Sequence, residues 1–366
     1  MRLFLFVCTI LSFFSCNSQE YLVQDIHGYD AKSLKNGQGV ELANVRIVEL
    51  NNHKEKIIAP RKILLDHTNI FVQDKNKVLC FSKDGNLKNT IGYRGHGRGE
   101  YVLLRTFYLE PKNDIILVDS YRGSLLRYKS DGTFVDEIRV GKNIYNIQDA
   151  YLLGKDSLFF CNYIMNEQGD IYEMLDLKTK KVSLVSHSNL STKNKMYPIG
   201  RNPFSVYNGN IKYVMPFENM IYELNGNKSY QYTTKQKLLD KEEQSKIKDF
   251  SLESYITLMS KGGFVGFTDI FEINNYLLTA FSDWEYTLLD KRTNTCRRYS
   301  YKLADELKFM PVVRIVATDG NQLVGIVNTD DLKKVKTYNR KDKNLEKLMS
   351  YRNEKDTYLL LFYDLK

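Results

Sequence analysis

Between Ile91 and Tyr101 the chain reads Ile-Gly-Tyr-Arg-Gly-His-Gly-Arg-Gly-Glu-Tyr, which sets two arginines, a histidine and a glutamate among four glycines. Such side chains can hold an anion or relay a proton, and glycine lets a backbone approach a bound molecule closely. Arg94, His96, Arg98, Glu100 and Tyr101, joined by Asp119 and Arg122 farther along, are the candidate ligand-binding residues. A phosphate cradle is not what they form. That fingerprint needs a helix to open at the last glycine, so that its N-terminus faces the phosphates. Here Glu100 to Leu104 and Arg105 to Leu109 follow, aromatic, aliphatic and strand-like, and no Walker lysine precedes a Ser or Thr. Two readings stand: a structural loop between two sheets, and a loop that also contacts a ligand.

Other constellations are sparse. There is no His-Glu-x-x-His and no Gly-x-Ser-x-Gly, and the one Ser-x-x-Lys, Ser245 to Lys248, falls in a stretch with helical spacing. The five histidines, His27, His53, His67, His96 and His187, share no metal-ligand spacing, so zinc is not expected. Glu100, Asp119 and Glu272 offer oxygen ligands of the kind a hard cation prefers. Carboxylates at strand ends serve equally as turn caps. No metal, no other cofactor and no catalytic residue is expected; calcium is the one ion these groups could serve. Trp284, the sole tryptophan, sits beside Asp283, either to stack on a sugar or to pack at a turn.

The elements that must position these residues recur. Val78 to Leu87 is a hairpin around Asp84-Gly85, and Leu125 to Phe134 repeats it around Asp131-Gly132. Ile171 to Lys180, Ile221 to Gly226 and Tyr286 to Thr293 are further copies. Turns at 84, 131, 178, 225 and 292 lie 47, 47, 47 and 67 residues apart. The long gap holds residues 235–260, where Leu252, Tyr255, Ile256 and Met259 recur at helical spacing. Two strands precede most hairpins, for example Leu104 to Leu109 with Ile115 to Asp119, and Ile147 to Leu153 with Leu158 to Cys161. Four strands and a period in the forties describe a propeller blade.

The last blade has Val312 to Ala317, Gln322 to Val327 and Tyr358 to Tyr363, with a short helix expected within 340–352. Its fourth strand must come from about 40–50, pairing with about 358–364 to close the ring. The expectation is an all-β, six-bladed propeller of four-stranded antiparallel blades over residues 40–366.

Upstream, Met1-Arg2 and an apolar run to Phe14 read as a signal peptide, residues 1–15, too short to span a bilayer. Ser15-Cys16 resembles a bacterial lipobox, making Cys16 the lipidation site and 16–39 a tether to the membrane. Cys80, Cys161 and Cys296 stand singly in strand-like runs and read as small buried hydrophobes. Net charge is +9 with both signs mixed throughout, a solvated surface and not a nucleic-acid footprint. A hydrophobic fraction of 43% excludes disorder.

With its blades laid out, the chain resembles the six-bladed β-propeller lipoproteins abundant in Bacteroidota, distant relatives of NHL-repeat propellers. The likeness rests on Gly92 to Tyr101, on Ile115 to Asp119 with Tyr128 and Asp131-Gly132, on Ile270 to Leu277 and on Tyr358 to Lys366. Arg98 departs from the proline usual in that family's loop. The resemblance implies the fold and little about chemistry. The leading expectation is an envelope lipoprotein, a monomeric and non-catalytic propeller that binds a peptide, protein or glycan at the channel mouth. The alternatives are a metal-dependent lactonase-like hydrolase or lyase, and a structural part of an envelope assembly docking through residues 235–260.

Overall fold

The computed structural model describes residues 22–29, 42–51, 56–110, 114–163, 170–187, 200–224, 228–232, 237–240, 242–243, 263–264, 266–282, 285–293, 295–300, 313–335, 343–354 and 356–365. They form six small four-stranded antiparallel blades in a ring. From the innermost strand outward, blade 1 is Pro60–Leu65, Asn69–Asp74, Lys77–Ser82 and Leu87–Ile91, and blade 2 is Leu104–Leu109, Ile115–Asp119, Ser124–Tyr128 and Phe134–Arg139. Blade 3 comprises Ile147–Leu153, Ser157–Asn162, Asp170–Asp176 and Val182–His187. Phe204–Tyr207, Asn210–Val214, Met220–Glu223 and Lys228–Tyr232 make blade 4. Blade 5 is Asp269–Glu272, Tyr276–Ser282, Glu285–Asp290 and Thr295–Ser300. In blade 6, Arg314–Asp319, Gln322–Asn328 and Tyr358–Leu365 are joined by Leu42–Glu49, which pairs antiparallel with Tyr358–Leu365 from Leu42 opposite Leu365 to Glu49 opposite Leu359.

Why these runs are strands follows from burial on both faces. Ile115 and Leu117 pack toward blade 1, beside Phe71, Cys80 and Phe107. Ile116 and Val118, on the opposite face, pack toward blade 3 with Leu158 and Phe160. Side chains alternate along a strand, so a strand sandwiched between two neighbours must be apolar at every position. The same split sends Phe159 and Cys161 toward blade 4 and Leu277 and Leu289 toward blade 4 from the far side, while Leu278 and Leu288 face blade 6. Among the described residues each apolar cluster joins two blades, and the core is therefore spread around the ring.

Outer hairpins reach back to the preceding blade. Gly85, with φ +87°, lets the outer turn of blade 1 lie against Glu49; a Cβ there would meet the Glu49 carbonyl oxygen at 1.9 Å. Asn51 N donates to Gly85 O at 2.8 Å, and Leu87 N donates to Asn51 O at 3.1 Å.

One segment departs from the sequence reading, and another lies almost wholly outside the described residues. Within 16–39, expected to be a tether, Leu22–Tyr29 is a strand. It pairs in parallel with Lys228–Tyr232 and with Thr295–Ser300, covering outer edges of blades 4 and 5 whose backbone groups would otherwise be unpaired. The helical stretch expected over 235–260 lies almost wholly outside the described residues; of what is described, Lys237–Leu238 pairs with Gly263–Phe264. The helix expected within 340–352 is present as Lys343–Ser350, packing Leu345, Leu348 and Met349 into the blade 6 cluster. Cys80, Cys161 and Cys296 are buried free thiols.

Candidate functional site

The two ends of the ring are built differently. Connections from the first strand to the second, and from the third to the fourth, run two to five residues between strands, as at 66–68, 83–86, 208–209 and 320–321. At the other end the strands are mostly farther apart in sequence, and of its connections 56–59, 92–103, 120–123, 140–146, 200–203, 266–268, 329–335 and 343–354 are described. Binding residues concentrate on long connections held by a rigid scaffold, so this connection end is the candidate functional face. Exposed Ile58, Tyr93, Leu103, Tyr121 and Tyr145 all belong to its connections.

The glycine-rich loop lies there, between the outer strand of blade 1 and the inner strand of blade 2. Tyr93–Arg94 and Glu100–Tyr101 pair in parallel, so the loop doubles back on itself. Gly99 has φ +73°, and a Cβ on it would meet the Phe134 ring at 2.8 Å. Most of the candidates from sequence prove to hold the loop together. Asp119 is fully buried, and its carboxylate accepts from the backbone N–H groups of Val102, Leu103, Tyr121 and Arg122 at 2.7–3.2 Å. Arg122 donates to the carbonyls of Glu100, Gly97 and His96 at 2.6, 3.3 and 3.4 Å. Glu100 Oε2 accepts from Gly97 N at 2.7 Å. Tyr101 is 1% exposed and donates its hydroxyl to Asn76 O at 2.6 Å, and burial pushes that phenol up to about 12. Arg94, His96 and Arg98 remain exposed, with the Arg98 guanidinium 6.0 Å from the Phe134 ring centre.

The oxygen groups considered for calcium are not brought together. Asp119 is in blade 2 and receives only N–H donors, while Glu272 is in blade 5 beneath two lysines. Among the described residues no cluster of three or more His, Cys, Asp or Glu has metal-binding geometry. Trp284 and Cys16 lie outside the described residues.

A second polar group, which the sequence reading did not pick out, runs along the starts of the innermost strands. Lys62 of blade 1 is buried; its Nζ donates to Asp149 Oδ1 of blade 3 and, at 3.3 Å, to Thr106 Oγ1 of blade 2. Asp149 Oδ1 also accepts from Thr106 Oγ1 at 3.0 Å and from Ala150 N at 2.8 Å. Arg105 Nε donates to Ile147 O at 2.8 Å, Gln148 Nε2 to Gly200 O at 3.3 Å, and Arg201 Nη1 to Pro60 O at 3.0 Å. Asp269 of blade 5 accepts from Asn202 N at 2.7 Å; burial lifts its carboxyl above the ordinary range, against the lowering pull of these hydrogen bonds and of Arg314. Polar contacts thus pass from blade to blade around the opening of the central channel.

Residues 34–363 match the family described as "Domain of unknown function (DUF4934)". The chain belongs to that family. No curated protein matches it. Among solved structures it is similar to a Bacteroides fragilis protein provisionally named as exported, with 18% identity and a TM-score of 0.72, over 94% of this chain and 100% of that one. A DUF4221 family member from Bacteroides vulgatus is similar at 12% identity and a TM-score of 0.53, over 90% of this chain and 98% of that one. At such identities the likeness establishes the fold: this DUF4934 protein is a propeller of a type found in Bacteroides. No described helix is long and apolar enough to cross a membrane.

Proposed function

We propose that this DUF4934 protein is an envelope lipoprotein, anchored through Cys16, that binds a peptide, protein or glycan at the connection end of its channel without catalysing a reaction. The observation that carries this reading is the asymmetry of the ring. Long connections and exposed tyrosines gather at one end, while the other is closed by tight turns. The apolar lead and Ser15-Cys16 support the envelope address.

Capture of partners from envelope extracts tests it, comparing the unaltered protein with single alanine variants of Tyr93, Arg94, His96, Arg98 and Tyr121. Loss of a captured partner in at least one is expected. Capture unchanged across all five rejects this face. Glu100, Asp119 and Arg122 are unsuitable for such a scan, because they hold the loop itself.

A further inference from the structure

The strand Leu22–Tyr29 lies outside the family match of residues 34–363, yet it is laid along the rim of the ring. It pairs first with the outer strand of blade 4, from Leu22 opposite Lys228, and then with that of blade 5, up to Tyr29 opposite Arg297. The chain therefore joins the ring at the start of the blade 4 outer strand. Blade 3 adjoins that point: Val185 of its outer strand packs with Tyr222 and Leu224 of blade 4, and Lys228 comes four residues after Leu224. Cys16 stands six positions before Leu22, so a group carried on Cys16 is held within about 20 Å of this part of the rim.

The blade 3 rim is both basic and apolar. Its two turns lie side by side, because Leu177 N donates to Asp156 O at 2.7 Å and Lys178 Nζ to Asp156 Oδ2 at 2.6 Å. Lys155 belongs to the first turn and Lys178, Lys180 and Lys181 to the second, all exposed. The two aspartates of these turns are engaged, Asp156 by Lys178 and Asp176 by the N–H groups of Lys178 and Thr179 at 2.8 and 2.7 Å. Among the described residues no carboxylate bridges to Lys155, Lys180 or Lys181. Directly after them come Val182 and Leu184, 38% and 50% exposed, on the outermost strand of the blade. Among the described residues no strand pairs with the outer edge of Val182–His187, whereas Leu22–Tyr29 covers outer edges of blades 4 and 5. Lysines bordering exposed aliphatic side chains match the boundary of an anionic bilayer, where ammonium groups meet headgroups and apolar groups enter the acyl edge.

We propose that the rim of blade 3, through these lysines with Val182 and Leu184, is a contact surface for the anionic lipid of the membrane that holds the protein. The inference rests on the reading of Cys16 as a lipid anchor and deepens it. The acyl chains keep the protein at the bilayer, the docked strand brings its edge there, and the basic rim settles on the headgroups. The connection end then stays clear of the bilayer and open to its ligand.

Fluorescence quenching by brominated lipid tests it, on the protein purified from membranes and placed in vesicles of phosphatidylglycerol and brominated phosphatidylcholine. The unaltered protein, with Trp284 alone, sets the background. Emission added by Leu184→Trp should fall by about half, since a side chain at the headgroup boundary is within reach of the bromines. Emission added by Tyr121→Trp, on the connection end, should be unchanged. Lys180→Glu together with Lys181→Glu, in the Leu184→Trp protein, should restore most of the emission without releasing the protein from the vesicles, because charge orients what the acyl chains anchor. The proposal is overturned if Leu184→Trp is unquenched, if Tyr121→Trp is quenched as strongly, or if the two glutamates leave quenching unchanged. A dimer in sedimentation that Leu184→Asp converts to monomers would give the rim to a second copy of this chain, and also overturns it. Absence of quenching with Cys16 acylated by mass spectrometry removes the rim contact and leaves the anchor. An unacylated Cys16 removes the anchor; vesicle binding that then requires phosphatidylglycerol and is lost with the two glutamates upholds the rim contact, and absence of such binding overturns it.

Discussion

Two charged groups in this ring invite comparison. At the turn end, between blades 4 and 5, Glu272 is 3% exposed and takes both oxygens to Lys212 Nζ at 2.9 Å and one to Lys291 Nζ at 2.8 Å, with Glu223 3.6 Å from Lys212. Two cations face two anions. At the channel opening, Arg105 Nε is held by Ile147 O at 2.8 Å and its guanidinium carbon stands 3.8 Å from the Tyr163 ring centre, and no described carboxylate bridges to it. The first group is charge-balanced and belongs to folding; in the second a cation is held by a carbonyl and an aromatic ring in place of a carboxylate. The difference lies in how each charge is satisfied, by opposite charge between blades 4 and 5 and by neutral groups at the opening.

The largest effect that would sharpen this contrast is expected from Glu272→Gln. It leaves Lys212 and Lys291 buried without their shared anion, and about 3–5 kcal/mol of stability should be lost, read from urea unfolding. A loss below about 1 kcal/mol would mean the cluster is not the lock described. Asp149→Asn comes next. Lys62 loses its charged partner, but the amide oxygen can still accept from Thr106 and Ala150, so about 3 kcal/mol is expected by the same measurement. Arg105→Gln, which loses the Tyr163 stack and the bond to Ile147 O, should cost about 1–2 kcal/mol; a loss as large as that of Glu272→Gln would erase the difference between the two groups.

A smaller effect concerns pH. The folded-state pKa of Asp269 is raised, so the folded protein holds its proton more tightly than the unfolded chain. Its contribution to stability is present on the acid side and lost as pH rises from the ordinary carboxyl value through the raised one. Tm measured against pH should therefore decline less steeply over that interval in Asp269→Asn; identical slopes would show that Asp269 is not the group responsible. The smallest effect expected is that of metal removal: chelation by EDTA and addition of calcium should both leave Tm unmoved, because the carboxylates in reach are already occupied by N–H and ammonium donors.

Much of the fold was readable from residue order because each blade repeats local signals. Asp84-Gly85 and Asp131-Gly132 mark outer hairpins, and runs such as Ile115 to Val118 announce strands buried on both faces. The inner strands of blade 4 were passed over, although Asn208 and Gly209, both with positive φ, form the two-residue turn between them. The site was less legible. Asp119, Glu100 and Arg122 sit beside a glycine-rich loop and look like ligand groups, yet a tight loop exposes many backbone donors and acceptors that must be satisfied, and these side chains satisfy them. Arg61, Arg105 and Gln148 each follow an apolar residue at the start of an inner strand. That column becomes visible only when blades are superposed, which sequence motifs do not do.

The joint between Leu42–Glu49 and Tyr358–Leu365 brings together segments about three hundred residues apart. During synthesis, the earlier strand must wait unpaired until the later one has emerged. Blade 6 is accordingly expected to assemble last, after its neighbours have offered a surface to receive it. A blade completed in that order would open first at the same seam.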